Sequence, residues 1–234
     1  MPFMSADDHG AQLPGGRSSL FFGIPPADHA RIFAAAHRKE FQRGEMLYIE
    51  GDPVHQIMML TSGFVKITQL GMRGTEVILT VGVPGDVLGT VGLFSTGKHG
   101  TTAQSFRSCQ AFAWEAPLFR NMVEDRPVLH NNMVTIMGEY LRELEERFRE
   151  VATEKVAQRV ARQLVRLATR IGRNSDNVIE IGISREEVAQ MTGTTLFTVS
   201  RLLSAWKARG FVKPRREAVE ISDVGSLSSI ADEC

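Results

Sequence analysis

The chain has 234 residues, 43% of them hydrophobic, which is enough for two modest cores, and its 27 Lys and Arg balance its 27 Asp and Glu. It has no apolar run near the roughly 20 residues that cross a bilayer and no secretory signal, which predicts a cytoplasmic protein without membrane contact. Its two cysteines, Cys109 and Cys234, form no CxxC pair, which argues against a structural zinc or a cysteine-ligated iron–sulfur cluster.

The N-terminal half contains three segments that differ in composition and hydrophobic pattern. Residues 1–19 are rich in Gly, Ser, Asp and Pro without periodicity and predict a flexible tail. The next segment, up to Phe41, has helical apolar spacing behind Pro25 and predicts a short helical entry. From Gly44 to Trp114 short β-prone runs alternate with glycines, which predicts an antiparallel barrel or double-sheet roll. We assign residues 20–126 to this β-roll domain.

A metal-dependent enzyme with such a roll would need clustered His and Glu ligands. His37, His55 and His99 are scattered without paired spacing, so no metal site is expected. The chain also lacks a convergent set of nucleophile, base and metal ligands, which argues against catalysis. Cys109 falls in a predicted strand, where a buried and unreactive thiol is expected.

A long helix is predicted over residues 127–153. Its apolar positions are separated by three and four residues with charged residues between them, which is a heptad pattern of about three repeats. One interpretation is a helix packed on its own domain. We favour a two-stranded parallel coiled coil, hence a homodimer, whose interface is formed by Val134, Met137, Leu141, Leu144, Phe148 and Val151.

The zero net charge conceals an asymmetry. Residues 154–216 contain thirteen Lys and Arg against five Asp and Glu, so the rest of the chain is acidic. A basic module joined to an acidic one is typical of a nucleic-acid-binding domain attached to a different domain. A merely solvated basic face is the alternative.

Residues 183–212 predict two short helices around a glycine turn. Ser184 and Glu187 have the spacing of a capping box at the first helix, and Gly193 can adopt the left-handed conformation that ends it. Thr194 or Thr195 can cap the second helix. An ordinary helical hairpin would share these features, whereas a helix-turn-helix would present the N-terminal end of its second helix to base edges.

The second helix has a buried face and an exposed N-terminal end. Helical spacing groups Val199, Leu202, Leu203 and Trp206 on the apolar face. The residues left for base contacts are Leu196, Phe197, Ser200 and Arg201. Two β-prone runs follow around a basic turn, which predicts a winged helix-turn-helix domain over residues 154–234. In that wing the side chains expected at phosphates are Lys213, Arg215 and Arg216.

The order of roll, dimer helix and winged helix-turn-helix resembles the cyclic-AMP receptor protein/fumarate–nitrate reduction regulator (CRP/FNR) superfamily over nearly everything after residue 20. The matching sequence motifs in the roll are Gly44-Glu45, Glu50-Gly51-Asp52, Ser62-Gly63 and Pro84-Gly85-Asp86-Val87-Leu88-Gly89. Those in the DNA-binding domain are Arg159-Val160-Ala161 and Thr198-Val199-Ser200-Arg201.

The resemblance implies an α+β homodimeric transcription factor that binds palindromic double-stranded DNA and RNA polymerase. An effector in the roll would reorient the DNA-binding domains through the dimer helix, with a hinge near residues 152–155. Further phosphate contacts implied by the family are Arg185, Thr194, Thr195 and Thr198. The alternative is a cyclic-nucleotide-binding-like module that acts on a partner protein instead of DNA.

The effector pocket implied by the resemblance is formed by Gly89, Thr90, Val91, Thr101, Thr102, Leu144 and Glu145. Thr90 replaces the Glu that meets the ribose in cyclic-AMP-binding members, and Thr101-Thr102 replaces their phosphate-binding Arg-Ser. A buried phosphate without a guanidinium loses a charge-assisted bond worth about 1.5 to 3 kcal/mol, which disfavours cyclic AMP. Three alternatives remain: the effector is haem, it is another small molecule, or the roll binds no ligand. The candidate haem ligands are His55, Met58, Met59, His99 and His130.

The recognition helix also departs from the family. Many members pair a Glu for cytosine with an Arg for guanine. Here Arg201 is present, whereas Phe197, preceded by Leu196, occupies the Glu position. Because apolar side chains contact thymine methyl groups, the sequence predicts an operator that differs from the usual half-site.

Overall fold

The computed structural model describes residues 19–72, 74–175 and 178–233, so the predicted tail lies outside the described residues except for Ser19. A 3₁₀ turn at Ser19–Phe21 leads to helix α1, Pro26–Ala34, as the helical entry predicts. The end of that segment is a strand instead, β1 at His37–Phe41. It pairs over its whole length with a later strand, Cys109–Glu115, and this long-range pairing outweighs local preference.

The predicted double-sheet roll is confirmed. After β1 its strands are β2 Met46–Tyr48, β3 Gln56–Ser62, β4 Val65–Leu70, β5 Glu76–Gly82, β6 Val87–Leu88, β7 Thr102–Ser105 and β8 Cys109–Glu115. One sheet has the order β1-β8-β3-β6 and the other β2-β7-β4-β5, with antiparallel pairing throughout. Their facing side chains, including Leu60, Val65 and Ala103, form the roll interior. Cys109 is buried there, as expected, and burial raises the pKa of its thiol.

Three further helices complete the N-terminal part: α2 Thr90–Phe94, α3 Ala116–Glu124 and α4 Pro127–Thr153. A second core lies between the outer face of the β1-β8-β3-β6 sheet and these helices, centred on the fully buried Trp114. The indole Nε1 of Trp114 donates to the carbonyl oxygen of Ile32 at 2.7 Å. Leu129 and Met133 anchor the first turns of α4 in this core, so the long helix is fixed on the roll.

The C-terminal part has the elements α5 Val156–Ile171, β9 Arg173–Ser175, β10 Val178–Ile181, α6 Arg185–Thr192, α7 Leu196–Ala208, β11 Val212–Pro214, β12 Val219–Ile221 and α8 Val224–Ala231. Its sheet has the order β11-β12-β10-β9, which adds a hairpin to the predicted wing. Leu164, Leu203 and Leu227 are fully buried between the helices and this sheet. The predicted winged helix-turn-helix is therefore present.

The two parts pack against each other. Val81 of β5 is buried in the core of the C-terminal part, together with partly buried Phe64 and Phe106 from turns of the roll. Gln190 of α6 donates to Glu76 at 3.2 Å, and Arg170 of α5 lies 3.0 Å from Asp86. Among the described helices, none combines the length and apolarity needed to span a membrane.

Candidate nucleic-acid interface and effector pocket

The turn between α6 and α7 has the geometry that its sequence predicts. Ser184 Oγ accepts from the Glu187 backbone N–H at 3.2 Å, and Glu187 Oε2 accepts from the Ser184 N–H at 2.9 Å. Gly193 ends α6 with φ 60°, a left-handed conformation that other residues rarely adopt. Thr195 Oγ1 then accepts from the Thr198 N–H at 3.2 Å and caps α7. Local chemistry thus fixes how the two helices meet.

Helix α7 separates buried from exposed residues as predicted. Val199, Leu203 and Trp206 are buried. At the N-terminal end Leu196 is 49% and Phe197 75% exposed, although both are apolar. Arg201 is exposed and Ser200 half-buried. We call Leu196, Phe197, Ser200 and Arg201 the recognition surface.

The wing carries the predicted basic side chains, but one carboxylate pairs with two of them. Glu220 of β12 lies 2.6 Å from Arg215 Nε and 3.6 Å from Lys213 Nζ. The hydrogen bond from Arg215 holds the pKa of Glu220 below its ordinary value. Arg216 is exposed at the turn. This pairing required the register of β11 and β12, which the sequence did not specify.

The remaining predicted phosphate contacts surround α6 and α7. Arg185 begins α6 and is half-buried, and Thr194 is half-buried in the turn. Thr195 is exposed, and its hydroxyl lies 3.0 Å from that of Thr198. Arg185, Thr195 and Thr198 lie at the N-terminal ends of α6 and α7, where backbone N–H groups favour anions.

The basic surplus of the C-terminal part is partly used inside the molecule. Arg162, Arg166 and Arg170 of α5 pair with acidic groups of α4 and the roll. The charge count alone therefore overstated the charge available to DNA. The paired carboxylates are partly those of the acidic excess in the rest of the chain.

Helix α4 packs one apolar face on the roll and exposes apolar side chains on another. Leu129 and Met133 pack on the roll. On the other face Phe148 is 77% exposed. Val134, Leu141 and Val151 are also exposed and Leu144 is partly buried, whereas Met137 is partly buried against the same core as Leu129 and Met133. Five of the six predicted dimer positions thus form an apolar stripe along the helix, namely Val134, Leu141, Leu144, Phe148 and Val151.

The residues of the implied effector pocket differ in their exposure. Gly89 has φ 91° and precedes the buried Thr90, whereas Val91 is exposed. Thr102 Oγ1 accepts from the backbone N–H of Glu50 at 3.0 Å. Leu144 is partly buried, and Glu145 is exposed on α4.

Two aromatic residues of this region, Tyr48 and Tyr140, were not predicted from the sequence. The rings of Tyr48 and His99 stack 3.9 Å apart at 6°. Burial raises the pKa of Tyr48 to about 12, against a hydrogen bond with Thr101, and the nearby phenol of Tyr140 on α4 raises it further. Their rarity could have drawn attention to them, because Tyr48 and Tyr140 are the two tyrosines of the chain.

The candidate haem ligands do not form one cluster, although burial lowers the pKa of His99 and His55 lies near enough to lower it further. His55 and His130 are exposed. Met58 faces the roll interior and Met59 the outer core, on opposite sides of β3. His99 is 6% exposed and stacked on Tyr48. Within the described residues, His, Cys, Asp and Glu form no group of three suited to a metal ion.

Comparison with known proteins agrees with this architecture. The family model of the cyclic nucleotide-binding domain matches residues 38–126, and that of the Crp-like helix-turn-helix domain matches residues 158–230. The chain is 27% identical over 214 residues to the CRP-like cAMP-activated global transcriptional regulator of Mycobacterium tuberculosis, covering 91% of this chain and 96% of that protein. It is 24% identical to the cyclic AMP receptor protein of Thermus thermophilus, over 92% of this chain and 97% of the relative.

Solved structures share the fold. FixK2 from Bradyrhizobium japonicum has a TM-score of 0.75 at 20% identity, covering 85% of this chain and 98% of its own. The roll, the long helix and the winged helix-turn-helix define a DNA-binding transcription regulator with a cyclic-nucleotide-binding-type domain. The chain belongs to the CRP/FNR superfamily of transcriptional regulators.

Proposed function

We propose that the protein is a homodimeric, sequence-specific transcription factor whose roll relays an effector signal through α4 to the DNA-binding domains. The observation that carries this proposal is the coexistence of an exposed recognition surface on α7 and an exposed apolar stripe on α4. Contiguous exposed apolar groups mark interaction sites. Pairing two α4 helices along the stripe would cover it and bring two recognition helices to one palindromic operator.

The proposed DNA contacts divide into two groups. Leu196, Phe197, Ser200 and Arg201 contact bases, with Arg201 on guanine and the apolar pair on thymine methyl groups. The phosphate contacts are Arg185, Thr194, Thr195, Thr198, Lys213, Arg215 and Arg216, which fix the register of the protein on the duplex. The proposed location is the cytoplasm, and RNA polymerase is the further partner, as the family resemblance implies.

The effector is expected to lack a cyclic phosphate. Between Gly89 and Thr102 the basic residues are Lys98, whose side chain is exposed, and His99, which is buried against Tyr48. A cyclic phosphate there would lose the charge-assisted pairing that a guanidinium supplies. Haem is the second candidate, because a single His or Met can hold it.

The experiment is selection from a randomised DNA duplex library by the purified full chain, before and after addition of cyclic AMP or haem. We expect enrichment of an inverted repeat, with no response to cyclic AMP. An absorbance band of bound haem together with haem-dependent enrichment would assign haem as the effector. If no sequence is enriched under any condition, the proposal fails in favour of a module that acts on a partner protein.

A further inference from the structure

The corner between α4 and α5 contains a buried carboxylate. Glu150, in the last turn of α4, is 5% exposed, whereas Glu145 and Glu146 one turn earlier are exposed. A carboxylate removed from water is unfavourable unless it is paired and hydrogen-bonded. Its surroundings must therefore compensate for its charge.

The compensation comes from α5. Arg166 makes two hydrogen bonds to Glu150, one from Nη1 to Oε2 at 2.9 Å and one from Nη2 to Oε1. Arg162 Nε lies 3.9 Å from the same carboxylate. Burial acts to lower the pKa of Arg166, but its hydrogen bond and charge pairing with Glu150 outweigh burial and raise it. A fork-to-fork pair of this kind fixes both distance and orientation.

The backbone leaves the helical conformation for two residues at the corner. Glu154 (φ −98°, ψ 147°) and Lys155 (φ −64°, ψ 152°) are extended and separate the two helices. Glu154 adds a second ion pair at the corner, since its Oε2 lies 3.4 Å from Arg162 Nε. Its carbonyl oxygen accepts from Arg159 Nη1 at 2.8 Å. Side chains at the corner therefore contribute to the angle at which α5 leaves α4, together with the contacts between the roll and the C-terminal part.

We propose that Glu150 is a positioning residue for DNA binding: its pairing with Arg166 and Arg162 sets the angle between the dimer helix and the DNA-binding domain. The inference rests on the proposed dimeric function. In a two-fold dimer the same pair occurs twice, so it controls the separation of both recognition helices. That separation must match the spacing of the two operator half-sites.

This role makes a specific prediction about affinity. Two half-sites bound by one rigid dimer gain from the effective concentration of the second domain, which is maximal when the geometry matches. If the angle at the corner becomes variable, the gain in affinity from binding both half-sites at their best spacing decreases. The contacts within one half-site stay intact. A residue needed only for folding would weaken both kinds of binding equally.

The test uses Glu150→Gln, which keeps the side-chain shape and removes the charge, with Glu139→Gln as the matched control at an exposed position of α4. Affinity is measured for operators whose spacer is changed by single base pairs and for an isolated half-site. We expect Glu150→Gln to lose about 10- to 100-fold at the best spacing, to lose the spacing preference and to keep half-site affinity. Glu139→Gln should match the wild type.

A second variant, Arg166→Lys, keeps the positive charge but cannot make the two parallel hydrogen bonds to Glu150. It should therefore also weaken the preference for one operator spacing. Unchanged spacing preference in both variants would overturn the inference, as would an equal loss on the half-site. If the wild type itself shows no spacing preference, the proposed dimeric function fails instead, and the inference fails with it.

Discussion

Arg201 is the single residue on which the proposed base recognition depends most. It is exposed beside two apolar side chains, Leu196 and Phe197, that have no structural reason to face water. An arginine at this place can donate two hydrogen bonds to guanine, while its apolar neighbours contact thymine methyl groups. The combination predicts a half-site that contains both a guanine and a thymine.

Arg201→Ala should lower affinity for the selected operator by about 1 to 3 kcal/mol and relax the preference at one base position. Fluorescence anisotropy with operator and random duplexes measures both effects. Lys207→Ala removes an exposed cation at the other end of α7, outside the proposed contacts, and as the control it should keep the wild-type preference for the operator over the random duplex. Equal losses for Arg201→Ala on the two duplexes would reduce Arg201 to a phosphate contact.

Glu220 limits the positive charge of the wing. It pairs with both Lys213 and Arg215, so Glu220→Gln should free two cations for phosphates. We expect tighter binding to any duplex and a steeper decrease of affinity with salt, since each added phosphate contact increases the slope by about 0.9. A salt titration measures the slope, and a slope equal to that of the wild type would show that the pairing does not restrict the wing.

His99 should make folding stability depend on pH. Burial lowers its pKa from the ordinary 6.5, Asp52 opposes the shift, and His55 adds to it. The unfolded chain therefore takes up a proton near pH 6.5 while the folded chain stays neutral, so stability falls as pH decreases through that range. Burial lowers the pKa of His29 in the same way.

Melting temperatures measured between about pH 7.5 and pH 5 test this linkage. His99→Gln should lose less stability on acidification than the wild type and should retain the part due to His29. An identical pH profile in the variant would contradict the burial effect at His99.

At the scale of elements, local patterns predicted what local chemistry determines. The capping box at Ser184, the left-handed Gly193 and the apolar face of α7 are each decided within a few residues, and all appear where expected. Strand β1 was missed because its pairing partner lies about 70 residues away in sequence. The ion pairs of α5 were missed for the same reason, since Glu150 and Asp86 meet α5 only in the folded chain.

The apolar stripe on α4 gives a prediction at this scale. Phe148→Glu places a charge in the proposed interface, whereas the exposed position costs the fold of one chain little. Light scattering should therefore show a monomer with nearly unchanged melting behaviour of each domain. Thr135→Glu, on an exposed position outside the stripe, is the control and should remain dimeric. A dimeric Phe148→Glu chain would move the interface away from this stripe.

At the scale of the whole molecule, contacts between the parts join the roll to the DNA-binding domain. The guanidinium of Arg107 lies against Gly182, where any Cβ would collide with it. Val81, Phe64 and Phe106 add apolar contact to the same junction. None of this follows from sequence pattern, because the turns of the roll that supply these residues are dispersed along the chain. The recognition surface nevertheless remains exposed in this arrangement.

The central claim is that one dimer places two recognition helices on one face of DNA. A hydroxyl-radical footprint on the selected operator, combined with the mass of the complex by light scattering, tests it most directly. We predict two chains per duplex and two protected blocks about one helical turn, roughly 34 Å, apart on the same face. One chain per duplex with a single protected block would contradict the account.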